Sequence, residues 1–512
     1  MNTGINSIST AGAKNFSVMI ESCNTKGYGG IHSLGVHPDT SKSLREKVGT
    51  VLEQLGLKIG NKRTLVNCSP IQSQHLDHFD LPAAISVYAL FEDGRTKIPI
   101  NKLVAVGEIS LNGQLKAMRN CIPIILEALK SDAEAIIMPL KNRPEMELVR
   151  SLNEAFSHLK VFYFNHLKEV LLWIKEGVYN CPDQDPREQL SELLDAPNFD
   201  DMFLNKELSD LICTIILGNH NVFLTGTPGT GKSMLATRLI SLLPQLNAED
   251  HLTALQSYSN LDGELSKPLL AGIPPFRSPH HLSSAHAILG TPDFPGDLAL
   301  AHGGILFLDE LPEFRRDLLE SLREPLETGH IQVSRAQKKV RWPCDALLVS
   351  AANGCPCGWS ESRRRLCLCP QQKISAYKRK LSGPLMDRID IQFRMKEPDP
   401  DESMEHFTIN FPGQTEALKL KIKKGREWRE NRLMKIPRNE ASGFSLMEQC
   451  EVNTMEQSKI LKLLNKKLPT RRAQKKVLFV ARTIADLDLS TELSYCHVKQ
   501  ALKWQILEGS NP

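Results

Sequence analysis

The chain has 512 residues, 41% hydrophobic and 24% charged, which suits about two to four soluble globular domains and excludes a single small core. Lysine and arginine total 63 against 59 aspartate and glutamate, so any surface for a polyanion must be local. The N-terminus lacks the basic start and apolar run of a secretory signal, and no stretch reaches the roughly 18 apolar residues of a membrane helix, so a cytoplasmic protein is expected.

Residues 1–175 alternate strand-like and helix-like stretches. Alternating or continuous apolar runs predict strands at 15–22, 64–67, 103–111 and 135–139, and helices at 43–55 and 82–91. Asn112-Gly113 predicts a tight turn after the third strand. An α/β domain follows from this pattern. Residues 176–200 are polar, carry prolines and are short of core residues, which predicts a linker or docking segment.

The third unit, 201–399, holds the most specific motif. Gly226-Thr227-Pro228-Gly229-Thr230-Gly231-Lys232-Ser233 fits G-x-x-x-x-G-K-[ST] without slack. The glycines let backbone N–H groups turn inward around a phosphate, Lys232 reaches the terminal phosphate oxygens, and the Ser233 hydroxyl holds Mg2+. A short apolar strand precedes the loop and a helical apolar stripe follows it, so the phosphates of ATP are expected at a helix N-terminus. Further on, Ile305-Leu-Phe-Leu308 ends in Asp309 and Glu310. A continuous apolar run predicts a buried parallel strand, whose C-terminal end brings Asp309 to the Mg2+ shell and Glu310 to an attacking water.

Another buried run, 346–352, ends in Asn353, which is either a turn residue or the amide that orients that water. Arg388, in Gly383-Pro-Leu-Met-Asp-Arg-Ile-Asp390, is either an ion-pair partner of Asp387 or Asp390 or an arginine finger for a neighbour's γ-phosphate. Residues 400–512 have helical periodicity at 416–432, 455–466, 472–485 and 494–507, which predicts a helical lid. Arg471 and Arg472 open one of its helices and are either solvated or folded over the nucleotide.

Two elements stand outside this set. Cys355, Cys357, Cys367 and Cys369 form two C-x-C pairs nine residues apart. Four thiolates suffice for a tetrahedral structural zinc site, which is favoured over free thiols although the spacing is tighter than C-x2-C. The histidines His280, His281, His286 and His302 are irregularly spaced and read as structural. Residues 330–343 alternate as two strands around a basic tip, with Arg335, Lys338, Lys339 and Arg341 supplying four cations in seven residues, which is either a solvated basic hairpin or a surface for phosphate contacts on nucleic acid.

In this order GTPGTGKS, ILFLDE, Asn353, SGPLMDRID and the TRRA helix start resemble the AAA+ ATPases, and specifically their magnesium-chelatase-like branch. Pro275–His286 is similar to that branch's helix-2 insert, and Glu310–Gly329 to its signature after the acidic strand. With Val477–Asp486 the similarity covers nearly the whole chain and points to the YifB/ComM family, competence-associated hexameric branch-migration helicases. The resemblance implies an α/β AAA+ core with a parallel sheet, ATP with Mg2+, and a homo-oligomer acting in recombination or natural transformation on single-stranded or branched DNA. It also implies Arg388 as the finger, Arg472 as the lid arginine, and a basic hairpin projecting into the ring pore.

The first domain resembles the Lon-protease fold, but its serine position holds Ala83 and its lysine position falls near Ile122. Neither can form a serine–lysine dyad, so peptidase activity is not expected. Ser86 and Lys116 are the remaining candidates, and their spacing favours neither. The rival functions are a chelatase-type motor, which needs a metal-binding partner subunit, and an ATPase that remodels protein. The basic hairpin favours DNA over both.

Overall fold

The computed structural model describes residues 2–505 apart from 12–13, 58, 60–61, 72–76, 94, 119, 154–158, 181–196, 260, 262–264, 336–337, 361, 363, 398–410, 433–449 and 469. Most of the expected linker and the exit turn after residue 397 therefore lie outside the described residues. No described helix is long and apolar enough to cross a membrane.

The N-terminal unit is built on strands β1 (Asn2–Ala11), β2 (Lys14–Thr25), β3 (Gly30–Leu34), β4 (Arg63–Ser69), β5 (Leu103–Ala105), β8 (Ala135–Pro139) and β9 (Lys160–Phe164), in the order β3-β4-β2-β1-β5-β8-β9. The long β1–β2 antiparallel pair sets Ile5 opposite Ile20 and Ile8 opposite Ser17, and both β1 isoleucines are buried. Sequence patterning missed β1 because its other residues are small and polar. The expected strand 103–111 is broken. It stops at Ala105, Gly107 packs against Leu81, and a separate hairpin, β6 (Glu108–Ile109) with β7 (Leu115–Lys116), turns through Asn112-Gly113.

The second unit carries five parallel strands: β10 (Val222–Thr225), β11 (Phe276–Arg277), β12 (Ile305–Leu308), β15 (Leu347–Ala352) and β16 (Ile391–Arg394). Their order is β11-β12-β15-β10-β16. In register, Val222 lies beside both Val349 and Ile391, and Leu306 beside Leu348. β10, β12 and β15 are buried along their full length, as continuous apolar runs covered on both faces must be. Because every strand runs the same way, the residues that follow them gather along one edge. A separate antiparallel hairpin, β13 (His330–Arg335) and β14 (Lys338–Pro343), stands between β12 and β15 in the chain.

The C-terminal helices Gln414–Asn431, Gln457–Lys467, Arg471–Leu487 and Tyr495–Lys503 do not form a separate core. Leu418, Val477, Ile484 and Trp504 share one apolar cluster with Leu211, Ile215, Val222 and Val349, so this helical unit is cemented to the parallel sheet through the helix Lys206–Gly218. Inside it Asp486, almost fully buried, receives Arg482 at 3.1 Å and Arg432 and Arg429 at 3.4 Å. The helix Ala248–Ser259, from the second unit, turns Ala254 and Leu255 into the N-terminal unit's cluster with Ile125, Leu129 and Met146. The two units therefore meet through an apolar contact as well as the linker.

Candidate functional site: the phosphate loop and its surroundings

The residues after β10, β12 and β15 converge as parallel strands require. Gly226 leaves β10 at φ 149°, where a Cβ would lie 2.7 Å from the Met395 carbonyl oxygen, so only glycine fits the first turn of the loop. Gly231 then caps the helix Lys232–Arg238 in a left-handed conformation. Lys232 is buried, and its Nζ donates to the carbonyl oxygens of Gly226 and Thr227, both at 2.9 Å, and to Asn353 Oδ1 at 3.1 Å. The Ser233 hydroxyl donates to Asp309 Oδ2 at 2.7 Å.

This arrangement fits a magnesium–triphosphate complex. The loop offers a helix N-terminus and an ammonium whose present acceptors are its own backbone and the Asn353 amide. Ser233 and Asp309 already stand oxygen to oxygen, as two ligands of one hard cation would. Thr225, which ends β10, and Thr227, in the loop, carry buried hydroxyls with no hydrogen-bond partner among the described residues.

Glu310 follows Asp309 with a positive φ of 53°, a strained conformation for glutamate, and its N–H bonds back to Asp309 Oδ1 at 2.9 Å. Its carboxylate lies 3.2 Å from His281 Nδ1, and His281 stacks on His280 with ring centres 4.2 Å apart. Reading the histidines as structural overlooked this contact, which joins residues 29 positions apart in the chain. Tyr377 is a second residue the sequence did not single out. It is buried, and burial together with Glu313, Glu310 and Cys355 holds its phenol well above the usual range, against a hydrogen bond with the Asn353 backbone.

Arg388 lies at the other end of the sheet. Asn221, immediately before β10, accepts the N–H of Asp390 at 2.9 Å and donates its side-chain amide to the Arg388 carbonyl at 3.1 Å. The whole of β10 thus separates Arg388 from the phosphate loop of its own chain. The expected ion-pair partners Asp387 and Asp390 are not the ones the guanidinium takes. It meets Glu327 Oε2 at 3.0 Å and donates to the Pro384 carbonyl at 2.7 Å.

Arg472 joins the same glutamate through Oε1, so it stands beside Arg388 rather than over Lys232 of its own chain. Burial pushes the Glu327 carboxyl up, but hydrogen bonds from Arg388 and Arg472 outweigh it and hold the group below the usual carboxylate value. Glu327 escaped the sequence reading because its partners lie 61 and 145 residues downstream. Arg471 begins the same helix.

The hairpin pairs Gln332 with Arg341, Ser334 with Lys339 and Arg335 with Lys338. Ile331, Val340 and Trp342 turn into the core, and the Trp342 indole N–H donates to the Thr291 carbonyl at 2.9 Å, which pins the base of the hairpin. Lys339 and Arg341 are exposed on the opposite face. The tip, 336–337, and the side chains of Arg335 and Lys338 lie outside the described parts, as does Arg363.

The four cysteines do come together: the Sγ atoms of Cys355, Cys357, Cys367 and Cys369 all lie within 4.8 Å of one another. In the N-terminal unit Ala83 and Ile122 are buried side chains without nucleophilic chemistry. Ser86 donates to the Thr3 carbonyl at 3.0 Å while Lys116 pairs with Glu108 at 2.7 Å, so these two do not form a dyad with each other.

Comparison with known proteins covers most of the chain. The family described as magnesium chelatase, subunit ChlI, matches residues 200–403, its C-terminal counterpart matches 413–505, and the family described as subunit ChlI of Mg-chelatase matches 20–142. Competence protein ComM of Haemophilus influenzae is 33% identical over 96% of this chain and 94% of its own length. The protein YifB of Escherichia coli is 31% identical over the same shares. The chain belongs to the YifB/ComM family of magnesium-chelatase-like AAA+ ATPases.

Proposed function

We propose that the protein is a cytoplasmic, ATP-hydrolysing ring motor that moves on DNA as a helicase or branch-migration factor, with the nucleotide held between two copies of the chain. The observation that carries this reading is the placement of Lys232 and Arg388 at opposite ends of one parallel sheet. One chain offers the phosphate cradle at one edge and the arginines at the other, which suits a head-to-tail contact that closes into a ring, six-membered by family resemblance.

Each residue has a role that its position supports. Lys232 and the loop N–H groups bind the β- and γ-phosphates, and Ser233 and Asp309 supply oxygens to Mg2+. When bound, Mg2+ neutralises charge on the phosphate oxygens. Glu310 polarises the attacking water once His281 releases it, and Asn353, held on Lys232, orients that water. A neighbouring copy's Arg388, with Arg472 beside it, stabilises the charge that develops in the transition state.

Exposed Lys339 and Arg341 on a hairpin with a fixed base support DNA as the track. The relative ComM is a competence protein by name, which agrees with handling DNA. The N-terminal unit is read as a Lon-like domain kept for assembly or substrate contact, without peptidase chemistry. The four cysteines are read as a structural zinc site.

The test is ATP turnover by the purified protein with no DNA, single-stranded DNA and a branched junction, alongside its mass in solution with ATP. DNA-stimulated turnover by an oligomer is expected. A chelatase-type motor, the reading the family description favours next, would hydrolyse ATP with no response to DNA.

A further inference from the structure

The cysteine cluster lies against the phosphate loop. Cys355 Sγ is 3.3 Å from Cys357 Sγ, and each of these sulfurs is 3.6 Å from Cys367 Sγ. A tetrahedral centre with metal–sulfur bonds of about 2.3 Å sets its sulfurs roughly 3.8 Å apart, whereas a disulfide would bring two of them to about 2.05 Å. The spacing is that of four ligands around one soft dication.

Cys355 follows Asn353 by two residues, and Gly358 turns back so that its N–H meets the Cys355 carbonyl at 2.9 Å. At Gly358, with φ +87°, a Cβ would lie 2.5 Å from Pro228 Cγ and 3.8 Å from Asn353 Cγ. The knuckle therefore rests against the phosphate loop at Pro228 and beside the amide that holds Lys232.

The remainder of the element is open to solvent on either side of Cys367. Leu366 and Leu368, which flank Cys367, are 87% and 89% exposed, so apolar burial does not close it. Its contacts among the described residues include Ser360 N–H on Cys355 Sγ at 3.3 Å, Arg364 and Arg365 N–H on Ser362 Oγ at 3.1 Å, and the Arg365 guanidinium 4.7 Å from the Trp359 ring centre.

We infer that zinc bound by Cys355, Cys357, Cys367 and Cys369 clamps the phosphate loop, pressing Gly358 onto Pro228 and fixing Asn353 on Lys232, so that metal occupancy sets nucleotide affinity. This rests on the nucleotide and zinc readings proposed above. With the metal removed, the knuckle loses its common anchor and the loop spends only part of its time in the binding shape.

The experiment compares the full-length protein as purified, after zinc removal with a mercurial and chelator, and after zinc is restored. Zinc content and the Kd for a fluorescent ATP analogue are read in each state, with circular dichroism as a check on folding. About one zinc per chain is expected, and its removal weakens binding at least about tenfold, the effect of a loop that is competent about a tenth of the time. Restored zinc restores the affinity.

Gly358→Ala separates the contact from the metal, keeping its zinc while losing a similar factor in affinity. Zinc-free, folded protein that binds the analogue unchanged would overturn the clamp, as would a purified chain with no zinc or a Gly358→Ala variant of unaltered affinity. A zinc-loaded protein that never takes up the analogue would overturn the nucleotide reading itself, and the clamp with it.

Discussion

Asn353 Oδ1 accepts a hydrogen bond from Lys232 Nζ at 3.1 Å, which ties the end of β15 to the loop that follows β10. In the proposed function the amide orients a water near the terminal phosphate, while Lys232 supplies the binding charge. Asn353→Ala is expected to bind ATP within about threefold of wild type and to hydrolyse it on the order of a hundredfold more slowly, as for loss of one positioned polar group. Lys232→Ala is expected to lose binding as well. Nucleotide titration beside single-turnover hydrolysis separates the two.

Glu310, the carboxylate proposed to activate water, lies 3.2 Å from His281 Nδ1. His281→Ala is expected to raise turnover without DNA and to shrink the ratio of DNA-stimulated to basal rates. An unchanged ratio would make the contact incidental.

Much of this site was legible because its parts are contiguous. The loop, the acidic strand end and Asn353 are each a short run whose chemistry and secondary structure coincide, and parallel strands bring such ends together. The apolar stripes of the C-terminal helices were likewise readable, with observed helices at 414–431 and 471–487 against expected 416–432 and 472–485. Pairings across long separations were not. Nothing near Glu327 announces two arginines, nothing near Gly358 announces Pro228, and β1 carries too few apolar residues to stand out from a loop.

In the proposed function the basic hairpin contacts DNA and takes no part in hydrolysis. Replacing Lys339 and Arg341 with alanine is expected to leave turnover without DNA near wild type and to remove most of the stimulation by single strands. Every cation–phosphate pairing removed should lower the salt dependence of binding by about 0.7 in the slope of log K against log salt. Titrations at several salt concentrations check it.

Asp486 sits almost fully buried among Arg482, Arg432 and Arg429, so Asp486→Ala leaves Glu451, 3.2 Å from Arg432 and 4.0 Å from Arg482, to offset the two buried guanidinium charges. A loss of about 3–5 kcal/mol is expected, read from the shift of the protein's urea unfolding midpoint.

Burial pushes the thiols of Cys68, Cys213, Cys344 and Cys450 up to about 12, from 9.0 when unfolded. The folded state therefore keeps these protons after the unfolded state has released them. The associated stability is fully present below pH 9.0 and is lost as pH rises towards about 12. Melting temperature is expected to fall steeply above pH 9.0, and Cys213→Ala to make that fall shallower.

The shared site is tested most directly by mixing two inactive variants. Arg388→Ala keeps a sound phosphate loop, and Lys232→Ala keeps a sound finger. Reassembled in equal amounts, they should complete about a quarter of the contacts between copies and recover ATP turnover that neither variant shows alone. A mixture that oligomerises yet remains as inactive as its components would contradict a nucleotide site built from two chains.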